Sequence, residues 1–334
     1  MLIAARGPAR VRFLASLRMT VSGASALIQA VGSVAPVGLA AVLAGPVAAA
    51  AHGLSAGDSL GRRVVLAKPP QRIVSWAPNV TEILFALGLG SKVAGVTSYC
   101  DFPPQARRLS KIGSITAPDL ERTLALKPDL VIGSRLNPRS LLRSLESLGA
   151  PCFAVDAPKT IEGVFGIIEA IGKITGSSRQ AAALNRRMRQ RLDRLQRLTA
   201  DLPGSRRPSV LLIYQLDPLW TAGSGTFADE AVRIAGGSNA AAEIKGYSAY
   251  PLESVLATRP QVILVTPMQA SGAAAARQRA LAYPPFKGLP AVVHGRVYPI
   301  NPDLIDRAGP RVIQGVEEIA RALHPELFKG ASAR

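Results

Sequence analysis

An internal repeat constrains the fold of this chain more than any other feature. The stretch LERTLALKPDLVIG begins at Leu120, and LESVLATRPQVILV begins 132 residues later at Leu252. Each copy has the pattern of a short helix, a proline turn and a buried strand, with glutamate as its second residue. Since a helix leading into a buried strand is typical of α/β folds, the repeat predicts two similar α/β lobes with parallel-rich sheets.

The segments around the first copy alternate between strand and helix patterns. RIVSW, KVAGVTSY, PDLVIG and PCFAVDA have strand character, and short helical patterns separate them. Asn79 and Glu82 have the spacing of a capping box at the start of the first helix. In parallel sheets the ligand lies beyond the carboxyl ends of the strands, so residues that directly follow strands are candidate ligand contacts.

A long helical tract connects the two lobes. It runs from about Ile161 to Ala200 and is broken near Gly176, where a glycine is followed by two serines. Its second half has an apolar stripe opposite an arginine-rich face. The complete stripe and the absence of interleaved aromatic residues favour a helix that covers a core over a nucleic-acid or membrane helix. The stripe residues are Leu184, Met188, Leu192, Leu195 and Leu198.

The chain of 334 residues, 48% hydrophobic, is long enough for two domains. We predict five segments. They are a signal peptide (1–51), a lead segment (52–71), an N-terminal α/β lobe (72–176), an interlobe backbone helix with linker (177–204) and a C-terminal α/β lobe (205–330).

The first 51 residues have the pattern of an export signal. Four arginines and no acid precede an apolar region that ends in small residues, with A-x-A sites at 48–50 and 49–51. A membrane anchor is the alternative, but Pro36, Pro46 and the many alanines and glycines make insertion weak. We therefore expect cleavage near 49–51 and a periplasmic protein. No lipobox cysteine follows this region, which favours a protein that is not tethered.

The formal net charge of +18 is compatible with binding to nucleic acid or to an anionic membrane. A general solubility role is the simpler interpretation, because net charge carries no specificity. Only Cys100 and Cys152 can form a disulfide. They follow or begin strands that we expect at opposite edges of one sheet, so the sequence predicts two free thiols.

We find no catalytic constellation in the sequence. The three histidines, His52, His294 and His324, do not have metal-ligand spacing, and nucleophile-elbow, P-loop and dinucleotide-binding motifs are absent. The glycine-rich TAGSGTF is a weak candidate for anion binding. The sequence thus favours a protein that is not an enzyme and has no cofactor, with a periplasmic enzyme on a two-lobe scaffold as an alternative.

The order of RIVSWAPNVTEILFALGLG, VTSYCDFPPQA, the two repeat copies, GGSNAAAE and RAGPRVIQGVEEIARAL resembles the periplasmic binding proteins of ABC importers for vitamin B12, ferric siderophores and haem. The resemblance extends from about Arg72 to Leu323 and is strongest to the vitamin B12-binding members. It implies two lobes bridged by one rigid long helix, near Ser178–Ala200, with the ligand between the lobes. It also implies that Glu121 and Glu253 dock onto arginines of the two permease subunits of an importer with its ATPase.

The same resemblance implies the ligand contacts. Tyr99 matches a tyrosine that contacts cobalamin, and Trp220 matches an aromatic contact of the second lobe. Tyr247 falls where the vitamin B12-binding members have tryptophan. Asp303 and Arg307 match polar residues near the cleft, and Arg135, after the third strand, is a candidate partner for a carboxylate or phosphate.

Two departures from the family pattern leave the ligand open. Ser134 and Ile115 stand where the vitamin B12-binding members have tryptophan. The expected cargo is cobalamin or a related corrinoid, and the alternative is a ferric siderophore. Haem is less favoured because no histidine falls in the cleft segments, although a tyrosine such as Tyr99 can ligate iron. We expect no nucleic-acid partner and contact with the membrane only through the permease.

Overall fold

The computed structural model describes residues 53–266 and 272–329. Within these residues it has two parallel-rich sheets with covering helices, which confirms the predicted α/β class. The predicted signal peptide lies outside the described residues, as does the expected cleavage site. The predicted lobe boundaries stay a prediction, and we use "first lobe" and "second lobe" for each sheet with the helices that pack on it.

The first sheet has five parallel strands in the order β5-β4-β3-β6-β7. An antiparallel hairpin, β1–β2, precedes it where the sequence predicted only a polar lead. The strands are β1 (Leu54–Gly57), β2 (Arg63–Leu66), β3 (Ile73–Ser75), β4 (Val93–Val96), β5 (Ser110–Lys111), β6 (Leu130–Ser134) and β7 (Cys152–Val155). Its helices are α1 (Pro78–Ala86), α2 (Leu120–Ala125) and α3 (Arg139–Ser147).

The second sheet has the order β11-β9-β8-β12-β13, and β10 pairs with the start of β8. Strands β8, β10, β12 and β13 run parallel, whereas β9 is antiparallel to both of its neighbours. The strands are β8 (Ser209–Leu216), β9 (Leu219–Ala222), β10 (Ser238–Asn239), β11 (Tyr247–Ala249), β12 (Val262–Val265) and β13 (Val297–Pro299). The helices are α6 (Phe227–Ile234), α7 (Leu252–Thr258), α8 (Ala273–Ala282), α9 (Pro290–Val293), α10 (Pro302–Ile305) and α11 (Val312–Leu323).

Two helices, α4 (Ile161–Thr175) and α5 (Ser178–Ala200), join the sheets. Gly176 ends α4 in the left-handed conformation, φ 74°, which glycine adopts without steric cost. Helix α4 packs on the first lobe, and α5 packs on α4 and then on α6 and α11 of the second. The predicted stripe is buried except for Leu192, which is half-buried, and Leu198, which is 41% exposed near the end of the helix. One continuous apolar core reaches through both lobes.

The two copies of the repeat share an unusual backbone feature. Lys127 and Arg259 have φ values of 48° and 44°, and each directly precedes the proline of its copy. Both residues occupy the eighth position of the repeat, so the two copies share their turn geometry as well as their sequence. The starts differ, because the Asp119 side chain caps α2 whereas Pro251 precedes α7 without a side-chain cap.

The predicted capping box at Asn79 and Glu82 is wrong. Helix α1 begins at Pro78, two residues before the start at Val80 that a cap at Asn79 implies, and Ala77 provides no side-chain cap. Proline is favoured at the first helical position because its missing N–H would have no partner there. Asn79 instead donates to the Ala308 carbonyl at 3.4 Å, and Glu82 is buried at the contact between the lobes.

Both cysteines are free and buried. Cys152 lies in the edge strand β7, three strands from β4, and Cys100 follows β4, which is one strand in from the opposite edge. Burial raises the pKa of both thiols, that of Cys152 to about 12, so neither forms a thiolate readily.

We therefore expect an aromatic disulfide reagent to label no thiol in the folded protein at pH 8 and two thiols per chain after denaturation without reductant. A count of zero after denaturation would mean that the two cysteines are bonded. Rapid labelling of the folded protein would contradict the burial.

Candidate functional site

Three adjoining depressions lie near the ends of strands β7, β8, β9 and β12. The first, of 830 Å³, lies against β7 and includes Arg135, Asp156, Pro158 and Lys159. The second, of 490 Å³, shares Pro158 and Lys159 with the first and is otherwise lined by 224–227 and 245–247 of the second lobe. The third, of 920 Å³, lies at the ends of β8 and β12. Since the depressions share or join walls, they form one cleft, which we call the interlobe cleft.

Aromatic side chains separate the second depression from the third. Tyr247 lines the second and Tyr214 lines the third, and their rings meet edge to face with centroids 5.4 Å apart. The Tyr214 hydroxyl donates to Asp306 Oδ1 at 3.1 Å. Trp220 lines the third depression and is 41% exposed. Tyr214, Trp220 and Tyr247 form a flat apolar surface with a few polar groups nearby, which we call the aromatic wall. Ligand sites commonly have such a surface.

The titratable groups of this wall have shifted pKa values. Asp306 reaches solvent at its edge, yet it is surrounded by protein in the concave site, and this burial raises its pKa to about 6. Burial and the nearby Asp306 carboxylate also raise the pKa of both tyrosines. Below about pH 6 the carboxyl group is neutral, so the local charge of the third depression changes in the mildly acidic range.

The two lobes are joined at one side of α1 by a network of ion pairs. Arg311 donates to both oxygens of Glu82, at 2.9 and 2.6 Å, and its guanidinium lies 3.8 Å from the ring centroid of Phe102. Arg307 pairs with Asp101 at 2.6 Å and with Asp303 at 2.9 Å. We use the name interlobe ion network for the five charged residues, which are Glu82, Asp101, Asp303, Arg307 and Arg311.

Burial has a strong effect on the charges of this network. Glu82 is only 3% exposed, and burial raises its pKa even though the guanidinium of Arg311 acts in the opposite direction. Burial alone would lower the pKa of Arg307, but its carboxylate partners Asp101, Asp303 and Glu82 raise it. Arg307 therefore stays charged, and together with Arg311 it holds carboxyl groups of the first lobe against the second lobe.

The predicted ligand residues are distributed over these features. Arg135, Trp220 and Tyr247 line the interlobe cleft. Arg135 pairs with Asp156 at 3.3 Å, and both are exposed. Tyr99 is 63% exposed on the loop after β4 and is not part of the lining of the three depressions. Asp303 and Arg307 belong to the interlobe ion network, and their role as ligand contacts stays a prediction.

Sequence reasoning missed Tyr214, Asp306 and Glu82. Tyr214 stands in VLLIYQ near the carboxyl end of β8, where the rule for ligand contacts in parallel sheets could have selected it. Asp306 directly precedes Arg307 in a segment that was already selected. Glu82 gave no such signal, because its partner Arg311 is 229 residues away.

Glu121 and Glu253 are exposed and lie in the first turns of α2 and α7. Helix α2 follows β5, and α7 follows β11. Strand β11 is antiparallel to β9, and β9 is antiparallel to β8, so β11 runs in the same direction as β8. Both glutamates therefore lie at the carboxyl edges of their sheets, the edges that also carry the interlobe cleft.

No helix among residues 53–266 and 272–329 combines the length and the apolar character that a membrane span requires. The same residues contain no cluster of three or more His, Cys, Asp or Glu side chains arranged to hold a metal ion.

A family model and a curated relative both relate this chain to substrate-binding proteins. The family model described as periplasmic binding protein matches residues 73–304. The uncharacterized ABC transporter substrate-binding lipoprotein YvrC of Bacillus subtilis is 32% identical over 276 residues, which are 81% of this chain and 86% of that protein.

Two solved structures have the same fold at comparable identity. The periplasmic vitamin B12 binding protein BtuF of Vibrio cholerae is 30% identical with a TM-score of 0.65, covering 78% of this chain and 99% of that one. The apo form of the periplasmic heme-binding protein RhuT from Roseiflexus sp. RS-1 is 27% identical with a TM-score of 0.70, covering 77% and 99%.

Proposed function

Because the chain belongs to the periplasmic binding protein family, we propose that it captures cobalamin or a related corrinoid in the periplasm and delivers it to an ABC importer. The observation that carries the ligand assignment is the aromatic wall of the interlobe cleft. Trp220 and Tyr247 are 41% and 49% exposed, and both side chains line the cleft. A corrin ring has broad apolar faces and amide groups at its rim, which suits aromatic walls with few polar groups.

The similarity to the vitamin B12 binding protein of Vibrio cholerae supports this assignment. In this proposal the chain carries its ligand unchanged and is not an enzyme, in keeping with relatives that are named as binding proteins. It is exported by its N-terminal signal.

Haem is a second candidate ligand, supported by the contact between Tyr214 and Tyr247. A phenol oxygen can ligate ferric haem iron, and the cleft places two phenols close together next to the Asp306 carboxylate. The similarity to the heme-binding RhuT is in keeping with this candidate.

The delivery step assigns Glu121 and Glu253 to docking. Each exposed glutamate lies in the first turn of a helix on its own lobe, so the pair can present one carboxylate to each half of a dimeric permease. Carboxylate–guanidinium pairs are directional and fix the register of two surfaces.

A spectroscopic titration separates the candidate ligands. We expect cyanocobalamin to bind at low micromolar concentration or below, with haemin and a ferric hydroxamate siderophore at least tenfold weaker. The second candidate would be favoured if haemin bound more tightly than cyanocobalamin and gave the absorbance spectrum of a tyrosine-ligated ferric haem. That spectrum should be lost in Tyr214→Phe or Tyr247→Phe. Binding of the siderophore alone would contradict both.

A further inference from the structure

The second depression of the interlobe cleft is unusual in its charge. Lys159 enters its lining from the first lobe, and Lys245 enters from the second. No acidic side chain belongs to this lining, which otherwise consists of prolyl, seryl, glycyl, threonyl and aromatic residues. The neighbouring depressions differ, because each contains aspartates together with its basic residues.

The acidic residues close in sequence to this lining are engaged elsewhere: Glu243 accepts from the Tyr250 hydroxyl, and Glu162 pairs with Arg189 at 2.6 Å. Asp229 accepts from Asn239 Nδ2 at 3.0 Å, and Glu230 accepts from the backbone N–H of Ile161 at 2.7 Å. Asp156 pairs with Arg135 in the first depression. Neither Lys159 nor Lys245 has an ion-pair partner among the described residues.

We propose that this depression is an anion subsite of the interlobe cleft, in which the two ammonium groups hold a phosphate diester or a carboxylate of the bound ligand. The proposal rests on the proposed function and narrows its ligand class. The nucleotide loop of cobalamin carries one phosphate diester, which cobinamide lacks, and haem carries two propionates. Lysine binds such groups as a point charge, and two lysines from different lobes would also tie the lobes through the ligand.

The subsite lies directly beside the aromatic wall. Tyr247 lines the same depression as the lysines, and its ring contacts Tyr214 on the side of the third depression. A ligand with its flat ring system on the aromatic residues can therefore extend a charged arm to the lysines. Ligands with such an arm should be preferred over otherwise similar ligands without it.

The test uses Lys159→Met, Lys245→Met and the double variant, which lose the charge and keep most of the side-chain volume. Lys173→Met, at an exposed position in the last turn of α4, is the matched control. Dissociation constants are measured for cyanocobalamin, dicyanocobinamide and haemin. The salt concentration is about 0.15 M, at which exposed charges are partly screened.

We expect the full-length protein to prefer cyanocobalamin over dicyanocobinamide, and the double variant to lose about tenfold in affinity for cyanocobalamin with little change for dicyanocobinamide. A loss confined to haemin would identify the held group as a carboxylate. The subsite would be overturned if the protein bound the two corrinoids equally well and if the lysine variants changed neither these affinities nor the affinity for haemin. A protein that binds none of the three contradicts the proposed function and the subsite together.

Discussion

Replacing Glu82 by alanine is expected to destabilise the protein by about 3 to 5 kcal/mol, because the change leaves Arg311 as an unpaired charge in a nearly dry contact. The Glu82 side chain is only 2% exposed, and that of Arg311 is 17% exposed. Urea unfolding at pH 7 measures the difference in free energy of unfolding. Glu82→Gln keeps the shape and part of the hydrogen bonding, so its cost should be smaller.

The matched control is Glu162→Ala, which breaks a similar two-point pair with Arg189 at the exposed surface. Surface pairs contribute little, and we expect a change below about 1 kcal/mol there. The double variant Glu82→Leu with Arg311→Met should recover most of the stability, since it removes both charges. A cost for Glu82→Ala no larger than that of the control would show that the network does not hold the lobes together.

Replacing both Glu121 and Glu253 by alanine is expected to abolish measurable docking to the cognate importer while ligand affinity stays unchanged. Each single change should weaken association at least tenfold, or about 1.4 kcal/mol, because in the proposed docking each glutamate pairs with an arginine of the permease. The measurement is binding of the purified chain to the permease–ATPase complex in nanodiscs, together with a ligand titration of the same variants.

Asp193→Ala is the control for docking, since Asp193 is an exposed acid on α5, away from the carboxyl edges of the sheets. It should not change the association. If either glutamate variant loses its ligand affinity instead, the glutamate belongs to the ligand site. If both variants dock normally, the carboxylates only complement the helix dipoles of α2 and α7.

Local patterns predicted much of the fold. The helix, proline turn and strand of the repeat appear twice, and even the left-handed turn residues, Lys127 and Arg259, hold equivalent places. The spacing of apolar residues predicted the long helix α5. Leu198 belongs to the predicted stripe but is 41% exposed near the end of the helix. The hairpin β8–β9 was not predicted, because β9 is only four residues long and gives little strand pattern.

The site was less predictable, since its important contacts join distant parts of the chain. The family resemblance indicated Trp220 and Tyr247, whereas Arg135 was selected because it follows a strand. Glu82 was misread because its spacing from Asn79 satisfies a local rule, whereas its actual partner comes from α11's start. Charge complementarity over more than two hundred residues leaves no local pattern in a single sequence.

The central claim is that one corrinoid binds between the lobes against the aromatic wall. Isothermal titration calorimetry with cyanocobalamin tests it most directly, on the wild-type chain and on Trp220→Ala and Tyr247→Ala. We predict one ligand per chain and a loss of at least tenfold in affinity for each variant. Trp76→Phe, which alters a tryptophan buried in the first lobe, should bind as the wild type does. No binding heat with wild type at any temperature, or variants that bind unchanged, would contradict the account.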